Sequence, residues 1–114
     1  MIQCKRLYDR ASQDDGYRVL VDRLWPRGVK KTDLAYDEWC KRLTPSNELR
    51  KAFHSETIDF TAFSKAYREE LAQHKDEGQR LAALANRQTL TLLYGAKNEA
   101  QNHAQVLADW LRHL

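Results

Sequence analysis

The sequence predicts a single α/β domain that spans residues 1–114, with a small, mostly parallel sheet of about three strands flanked by helices. Three observations predict this class. The 114 residues suffice for one domain with its own core and leave no room for a second. Apolar, β-rich segments alternate with several amphipathic stretches. A hydrophobic fraction of 42% beside a charged fraction of 31% is typical of a well-solvated globular chain, not a disordered one.

Two strands are predicted near the amino terminus. Residues 2–8 show an imperfect alternation of apolar and polar side chains, and a polar loop, Asp9 to Gly16, follows them. Residues 17–23 form the second predicted strand, because the Val-Leu-Val run at their centre suits a strand buried on both faces. The loop is shorter than a parallel crossover usually needs, which favours an antiparallel pairing. The family resemblance described below favours a parallel first strand, and that is the direction we expect.

The rest of the chain predicts helices around a third strand. Apolar spacing and capping residues predict helices over residues 35–43, 44–54, 57–74 and 79–87. A β-branched and apolar run over residues 89–94 predicts the third strand, and Asn98 is a suitable N-cap for a last helix. We expect the second and third strands to lie side by side and parallel, because a helical crossover joins them.

The charge pattern bears on possible partners. The chain carries a formal charge of +3, but residues 1–31 hold eight Lys or Arg against four Asp, and the remaining residues hold eleven basic side chains against twelve acidic ones. A basic amino-terminal third is able to attract phosphates or nucleic acid. Solvated surface charge is the simpler interpretation, since duplex-binding domains usually show a stronger basic bias. Nucleic acid is therefore possible but not favoured.

Cysteine usage and the apolar runs bear on compartment and cofactors. Cys4 and Cys40 lie far apart and form no CxxC or zinc-knuckle spacing, and no pair of histidines makes a convincing metal site. We predict two reduced core thiols, no metal and no cofactor. The amino terminus has no signal-peptide pattern and no apolar run approaches the ~20 residues that cross a bilayer. The expectation is a cytoplasmic protein with no membrane partner; its oligomeric state stays open.

No established catalytic motif is present, so any site must be assembled in space. The chain has four glycines and no GxGxxG, GxxxxGK[ST], HExxH or GxSxG. In an open α/β sheet, ligands bind in the crevice outside the carboxyl ends of the strands. The candidates that follow the second strand are Asp22, Arg23, Trp25 and Arg27. Those at the end of the third strand and beyond it are Tyr94, Lys97, Asn98, Asn102 and His103.

These residue types suggest an anion site with one proton-handling pair. Arg23, Arg27 and Lys97 supply positive charge, and a helix beginning at Asn98 would add backbone N–H donors. Trp25 and Tyr94 are expected to form the walls, with Asn98 and Asn102 beside the ligand. Asp22 and His103 are the candidate catalytic residues, because histidine exchanges a proton near neutral pH. The simpler alternative is that His103 is a hydrogen-bonded boundary residue and that Asp22 pairs with a neighbouring Arg.

Three segments identify a family. The run Asp-Gly-Tyr-Arg-Val-Leu-Val-Asp-Arg-Leu-Trp-Pro-Arg-Gly at residues 15–28 closely resembles the YeaO-like branch of the DUF488 family. Residues 43–50 and 91–98 do as well, together with Asn-His-Ala at residues 102–104. The resemblance covers nearly the whole chain and implies a small bacterial cytoplasmic α/β domain, without implying a reaction. It carries over Asp22, Arg23 and His103 as site residues of unassigned role.

One departure from the wider family limits the chemistry. Broader DUF488 relatives tend to have a cysteine at the end of the third strand and another in a Cys-His-Arg run. The matching places here are Tyr94 and Asn102, and Ala104 replaces the arginine. Thiol redox chemistry and cysteine metal ligation are therefore not carried over.

Three functions follow from these observations. The first, which we favour, is a small anionic-ligand-binding domain or an enzyme acting on such a ligand, since polar groups that converge at strand ends are the usual mark of a site. The second is a nucleic-acid-associated module that uses the basic amino-terminal third. The third is a protein-interaction module that docks a partner on the Trp-Pro-Arg corner. The residues leave open whether the protein is an enzyme.

Overall fold

The fold is a four-stranded parallel sheet with its helices packed on one face. The computed structural model describes all 114 residues. The strands are β1 (Ile2–Arg6), β2 (Tyr17–Leu20), β3 (Glu38–Trp39) and β4 (Leu90–Tyr94). The helices are α1 (Asn47–His54), α2 (Phe60–Leu71), α3 (Lys75–Arg87) and α4 (His103–Arg112), with single 3-10 turns at Gln13–Asp15 and Ala72–His74. The predicted α/β class is confirmed, with one strand more than expected.

The order of the strands in the sheet is β1-β4-β2-β3, and every pair is parallel. The expected neighbours β2 and β4 are therefore confirmed, and so is the parallel direction of β1. The length of the loop between β1 and β2 favoured an antiparallel pairing of these two strands, but β1 pairs with β4 and not with β2. The loop over residues 7–16 does not join adjacent strands, so the usual length of a crossover between neighbours does not apply to it.

The two faces of the sheet have different covers. Side chains two residues apart on a strand share a face, and Leu90, Leu92 and Tyr94 pack with the four helices in the main core. On the other face Leu20 and Leu93 form a smaller core with Leu7 and Leu34, which lie in the segments after β1 and β2. The Val-Leu-Val run, which ends one residue after β2, is fully buried, as predicted for a strand covered on both sides.

A buried ion cluster holds the first loop onto the sheet. The carboxylate of Asp15 pairs with Arg18 and, at 3.1 Å, with Nζ of Lys5, and it also accepts the backbone N–H of Ser12. Burial opposes ionisation of this carboxyl, but the N–H and the two cations outweigh it and lower its pKa. The hydroxyl of Thr91 in β4 donates to the carbonyl of Asp15, so the loop is fastened to the central strand.

Helices α3 and α4 approach closely at one glycine. A Cβ placed on Gly78 would lie 2.4 Å from two ring carbons of Trp110, so the indole lies directly against the backbone of α3. None of the four helices combines the length and the apolar character needed to cross a bilayer.

Two predicted helices are wrong in position. Residues 35–43 form no helix, because they contain β3. The residues on either side of β3 extend its pairing with β2: the Asp37 N–H donates to the carbonyl of Arg18, and the Cys40 N–H donates to the carbonyl of Leu20. This edge strand has only two residues, too few for periodicity to reveal. The last helix begins at His103, capped by Asn102, because Asn98 instead accepts two backbone N–H groups in its own tight turn.

Helices α1 and α2 also begin three residues later than predicted, and α3 begins four residues earlier, at Lys75. The cap of α1 is Ser46, whose hydroxyl oxygen accepts the N–H of Leu49, and not Thr44. The carboxylate of Glu70 in α2 in turn accepts the N–H and the hydroxyl of Ser46, which ties the start of α1 to α2. This contact fixes the position of α1 beside the end of the sheet.

Candidate functional site

A groove of about 1020 Å³ opens at the carboxyl edge of the sheet. Most of its lining comes from three parts of the chain: the segment after β2, the segment after β4, and the helices α1 and α2 with the turn between them; Tyr8, after β1, adds to it. The parallel pairing of β2 with β4 brings the first two segments to the same edge. The groove therefore lies where the strand order predicts a ligand.

Asp22 ties the ends of the two central strands together. Its Oδ2 accepts the backbone N–H of Gly95 at 3.0 Å, across from β2 to the residue after β4. A Cβ on Gly95 would lie 2.8 Å from this oxygen, so the close approach depends on the missing side chain. The carboxylate is thereby fixed at the floor of the groove.

The other oxygen of Asp22 faces His103. The distance from Oδ1 of Asp22 to Nε2 of His103 is 2.9 Å, and the two side chains are 19% and 16% exposed. Both atoms are buried and neither makes a hydrogen bond of normal geometry with any group. The two residues therefore form a close, shielded pair with no other protein partner at these atoms.

The start of α4 positions the histidine. Asn102 is buried and caps the helix, because its Oδ1 accepts the N–H of Gln105 while its Nδ2 donates to the carbonyl of Asn98. His103 is the first residue of the helix, where unpaired N–H groups carry partial positive charge. The adjacent carboxylate of Asp22 is favoured electrostatically at that end.

Four cationic side chains line the groove: Arg23, Arg27, Arg50 and Lys97. Arg27 and Lys97 are exposed, whereas Arg23 is half-buried with its Nη1 at 3.4 Å from the hydroxyl of Thr44. None of the four forms an ion pair with a protein carboxylate within 4.0 Å, although Asp22, Glu56 and Asp59 also line the groove. The cations are thus free to take an external anion.

An aromatic cluster supports the wall after β2. The indole N–H of Trp25 donates to the carbonyl of Val29 at 2.6 Å, and its ring meets Tyr36 and Trp39 edge-on at 5.7 and 5.4 Å. The indole N–H of Trp39 donates to the backbone carbonyl of Asp22 at 2.7 Å. The Trp-Pro-Arg corner is therefore rigidly attached to the residue that faces His103.

The structure brings eight of the nine sequence-predicted residues to the groove; the exception is Tyr94. The side chain of Tyr94 belongs to the main core and is 2% exposed, so the prediction that it forms a wall is wrong. It lies two residues after Leu92 and therefore on the same helix-covered face. Burial, followed by the nearby charge of Glu99, raises its pKa. The backbone donors expected at Asn98 are likewise absent, because no helix starts there.

Sequence reasoning missed the wall made by α1 and α2. Arg50, Phe53 and His54 line the groove from one face of α1, and Ile58 and Phe60 continue the wall into α2. The spacing of residues 50, 53 and 54 marks one helical face, which is the signal available in the sequence. Where that face points depends on how α1 packs against the sheet.

Neither cysteine belongs to the groove. Burial raises the pKa of the Cys4 thiol to about 11 and also raises the pKa of Cys40. Both thiols are free, and Cys4 donates to the carbonyl of Ala104 at 3.3 Å.

Potential metal ligands meet away from the groove. Glu38, Cys40 and Glu77 have their donor atoms within 4.8 Å of one another. The guanidinium of Arg80 pairs with both carboxylates, and the hydroxyl of Tyr17 also donates to Glu38. Arg80 therefore already supplies the positive charge that a metal ion would bring to these two carboxylates.

A second, smaller groove adjoins the first. It has a volume of about 730 Å³ and shares Arg23 and Leu24 with the larger one. Lys41, Arg42 and His74 line it, with Glu70 as its only carboxylate. Arg42 is paired with Glu77 at 3.3 Å, so part of this positive charge is already neutralised.

The protein is a small parallel α/β domain with a groove lined by four cationic side chains at the carboxyl edge of its sheet. The chain belongs to the DUF488 family, because the family model DUF488-N3i, described as "Inactive DUF488-N3 subclade", matches residues 1–114. It is 69% identical over 113 residues to the uncharacterized protein YeaO of Escherichia coli (strain K12), covering 99% of this chain and 98% of the relative.

More distant relatives match over similar lengths. The uncharacterized proteins Rv3073c of Mycobacterium tuberculosis (strain ATCC 25618 / H37Rv) and Mb3100c of Mycobacterium bovis (strain ATCC BAA-935 / AF2122/97) are each 38% identical over 110 residues. These matches cover 96% of this chain and 92% of each relative. No solved structure matches the chain significantly.

Proposed function

We propose that this protein binds a small anionic ligand in the groove at the carboxyl edge of its sheet. One observation carries the proposal: four cationic side chains from three separate segments line the same groove, and none is neutralised by an ion pair within the protein. The four cations exceed the three carboxylates of the lining, so the groove carries a net positive charge that favours a bound anion. A phosphate or carboxylate group matches this arrangement.

The Asp22–His103 pair is the centre of the proposed site. Both side chains line the groove and their facing atoms lie 2.9 Å apart, so a ligand bound at the floor of the groove would lie against the pair. The description of the matching subclade as inactive favours binding without turnover. We therefore propose that the pair positions the ligand, and that Asp22 holds His103 in its orientation at the start of α4.

Replacement of one exposed cation tests the proposal. We expect Arg27→Ala to weaken binding of inorganic phosphate or sulfate about tenfold or more, because a charge-assisted contact contributes roughly 1.5–3 kcal/mol. Asp22→Asn should strengthen anion binding, because it removes a negative charge from the floor of the groove. Arg87→Ala is the matched control, since Arg87 is also exposed but lies at the end of α3, away from the groove.

Titration of backbone amide resonances provides the measurement and locates the ion. If phosphate shifts amides elsewhere, or if Arg27→Ala and Arg87→Ala lose affinity equally, the proposed site is wrong. His103→Gln should weaken phosphate binding less than Arg27→Ala does, and any turnover should fall more than the affinity.

A nucleic-acid ligand is the second candidate, and the adjoining basic groove is the observation that favours it. Arg23 belongs to both grooves, so a chain of phosphates would have a continuous path past Lys41. Binding of a generic oligonucleotide that falls steeply with salt, and is lost in both Arg23→Ala and Lys41→Ala, would support this function. Phosphate binding that is unaffected by Lys41→Ala would favour the small ligand.

A further inference from the structure

One wall of the groove is aromatic. The rings of Phe53 and Phe63 stack with centroids 4.4 Å apart, and Phe60 lies 5.9 Å from Phe53 and 6.3 Å from Phe63. Phe63 is buried, but Phe53 and Phe60 are only half-buried, and all three line the groove. With Ile58 beside them, these rings give the groove one apolar wall.

A cationic donor stands next to this wall. Arg50 precedes Phe53 by three residues on α1, so the two side chains share a helical face. The Nε atom of Arg50 is buried and has no hydrogen-bond partner, and its guanidinium makes only one long contact, 3.4 Å from Nη2 to Oδ1 of Asn47. The guanidinium lines the groove and has no carboxylate partner in the protein, so an anionic ligand would supply the counter-charge that it lacks.

We infer that the ligand of this groove carries an aromatic ring beside its anionic group, as in an aryl phosphate monoester or an aromatic carboxylate. This inference rests on the proposed function. Arg50 takes the anionic group together with the exposed cations, and the ring lies against Phe53 and Phe60. A groove built for an inorganic ion alone would have no use for an apolar wall, whereas ring-on-ring packing adds affinity beyond the burial of area.

Two phosphate monoesters that differ only in their organic group distinguish the contribution of the ring to the affinity from that of the anion. Phenyl phosphate and methyl phosphate are titrated against the full chain, and binding is followed by calorimetry and amide resonances. We expect phenyl phosphate to bind about tenfold more tightly, a difference of about 1.4 kcal/mol. Phe60→Leu keeps an apolar side chain but removes the flat ring, so it should cut this ratio at least threefold while methyl phosphate affinity stays the same.

Arg50→Gln tests the anionic half of the inference. It should weaken both monoesters, whereas the control Arg87→Gln should weaken neither. Thermal unfolding of each variant identifies any that is not folded, and for Phe60 the second variant Phe60→Tyr retains the ring and should restore the preference for phenyl phosphate.

The outcomes distinguish the two proposals. Equal affinities for the two esters, or a preference that Phe60→Leu leaves intact, would overturn the aromatic ligand while anion binding stands. Failure of both esters and of inorganic phosphate to bind in the groove would overturn the proposed function and the inference together.

Discussion

Gly95→Ala is the sharpest test of how the site is assembled. The added Cβ would lie 2.8 Å from Oδ2 of Asp22, so the carboxylate must move and its bond from the Gly95 N–H is lost. A hydrogen bond to a charged group contributes about 1.5–3 kcal/mol. Gly95 is not in the left-handed region, so alanine also gains about 0.4–1 kcal/mol from the lower entropy of the unfolded chain. We expect a net loss of about 1–2 kcal/mol in the free energy of unfolding.

The double-mutant cycle with Asp22→Ala assigns this loss to the carboxylate. Once the carboxylate is absent, Gly95→Ala should stabilise the protein by about 0.4–1 kcal/mol, which gives a coupling of about 1.5–3 kcal/mol between the two positions. Urea unfolding followed by tryptophan fluorescence measures all four proteins. If Gly95→Ala lowers the free energy of unfolding equally with and without the Asp22 carboxylate, the contact between the two strand ends does not explain the glycine, and the reasoning fails.

Three further outcomes concern the rest of the fold. Gly78→Ala should destabilise the protein by about 1–3 kcal/mol through overpacking against Trp110, yet stabilise a Trp110→Ala background by about 1 kcal/mol; equal effects in both backgrounds would contradict this packing. Asp15→Asn should cost about 3–5 kcal/mol near neutral pH because it leaves a buried guanidinium unpaired. The pKa of Asp15 is lowered in the folded protein, so its stabilisation is present above the usual pKa of about 3.9 and is lost as pH falls through the folded pKa. Urea unfolding measures the difference in free energy of unfolding between the parent protein and Asp15→Asn, and a difference that stays constant in acid would refute this. A Cys4→Ser, Cys40→Ser variant should fold and keep its phosphate binding under reducing conditions, and loss of binding in that assay would give the thiols a role.

The sheet was predictable where strands are long and buried. The Val-Leu-Val run of β2 and the apolar run of β4 mark strands by composition alone. The two residues of β3 carry no such signal, and Trp39 with Leu43 imitates helical spacing. That edge strand exists because β2 offers it unpaired backbone groups, a tertiary cause that a local pattern does not contain.

The site was predictable to the extent that it follows from strand ends. Asp22 and His103 meet because parallel neighbours finish at one edge, which chain order and strand direction already imply. Arg50 and the phenylalanine wall depend on where α1 is placed by its contact with Glu70, so no strand-end rule finds them. Tyr94 was predicted as a wall of the site but lies in the main core, on the same face of β4 as Leu90 and Leu92.

The strand order also constrains the order of events during translation. The strands β1 and β2 emerge first from the ribosome, but neither touches the other; both pair with β4, which ends at Tyr94. A nascent chain that stops before Leu90 has only the two-residue pairing of β2 with β3 available to it. Closure of the sheet therefore waits for β4, which follows the other three strands and three of the four helices along the chain.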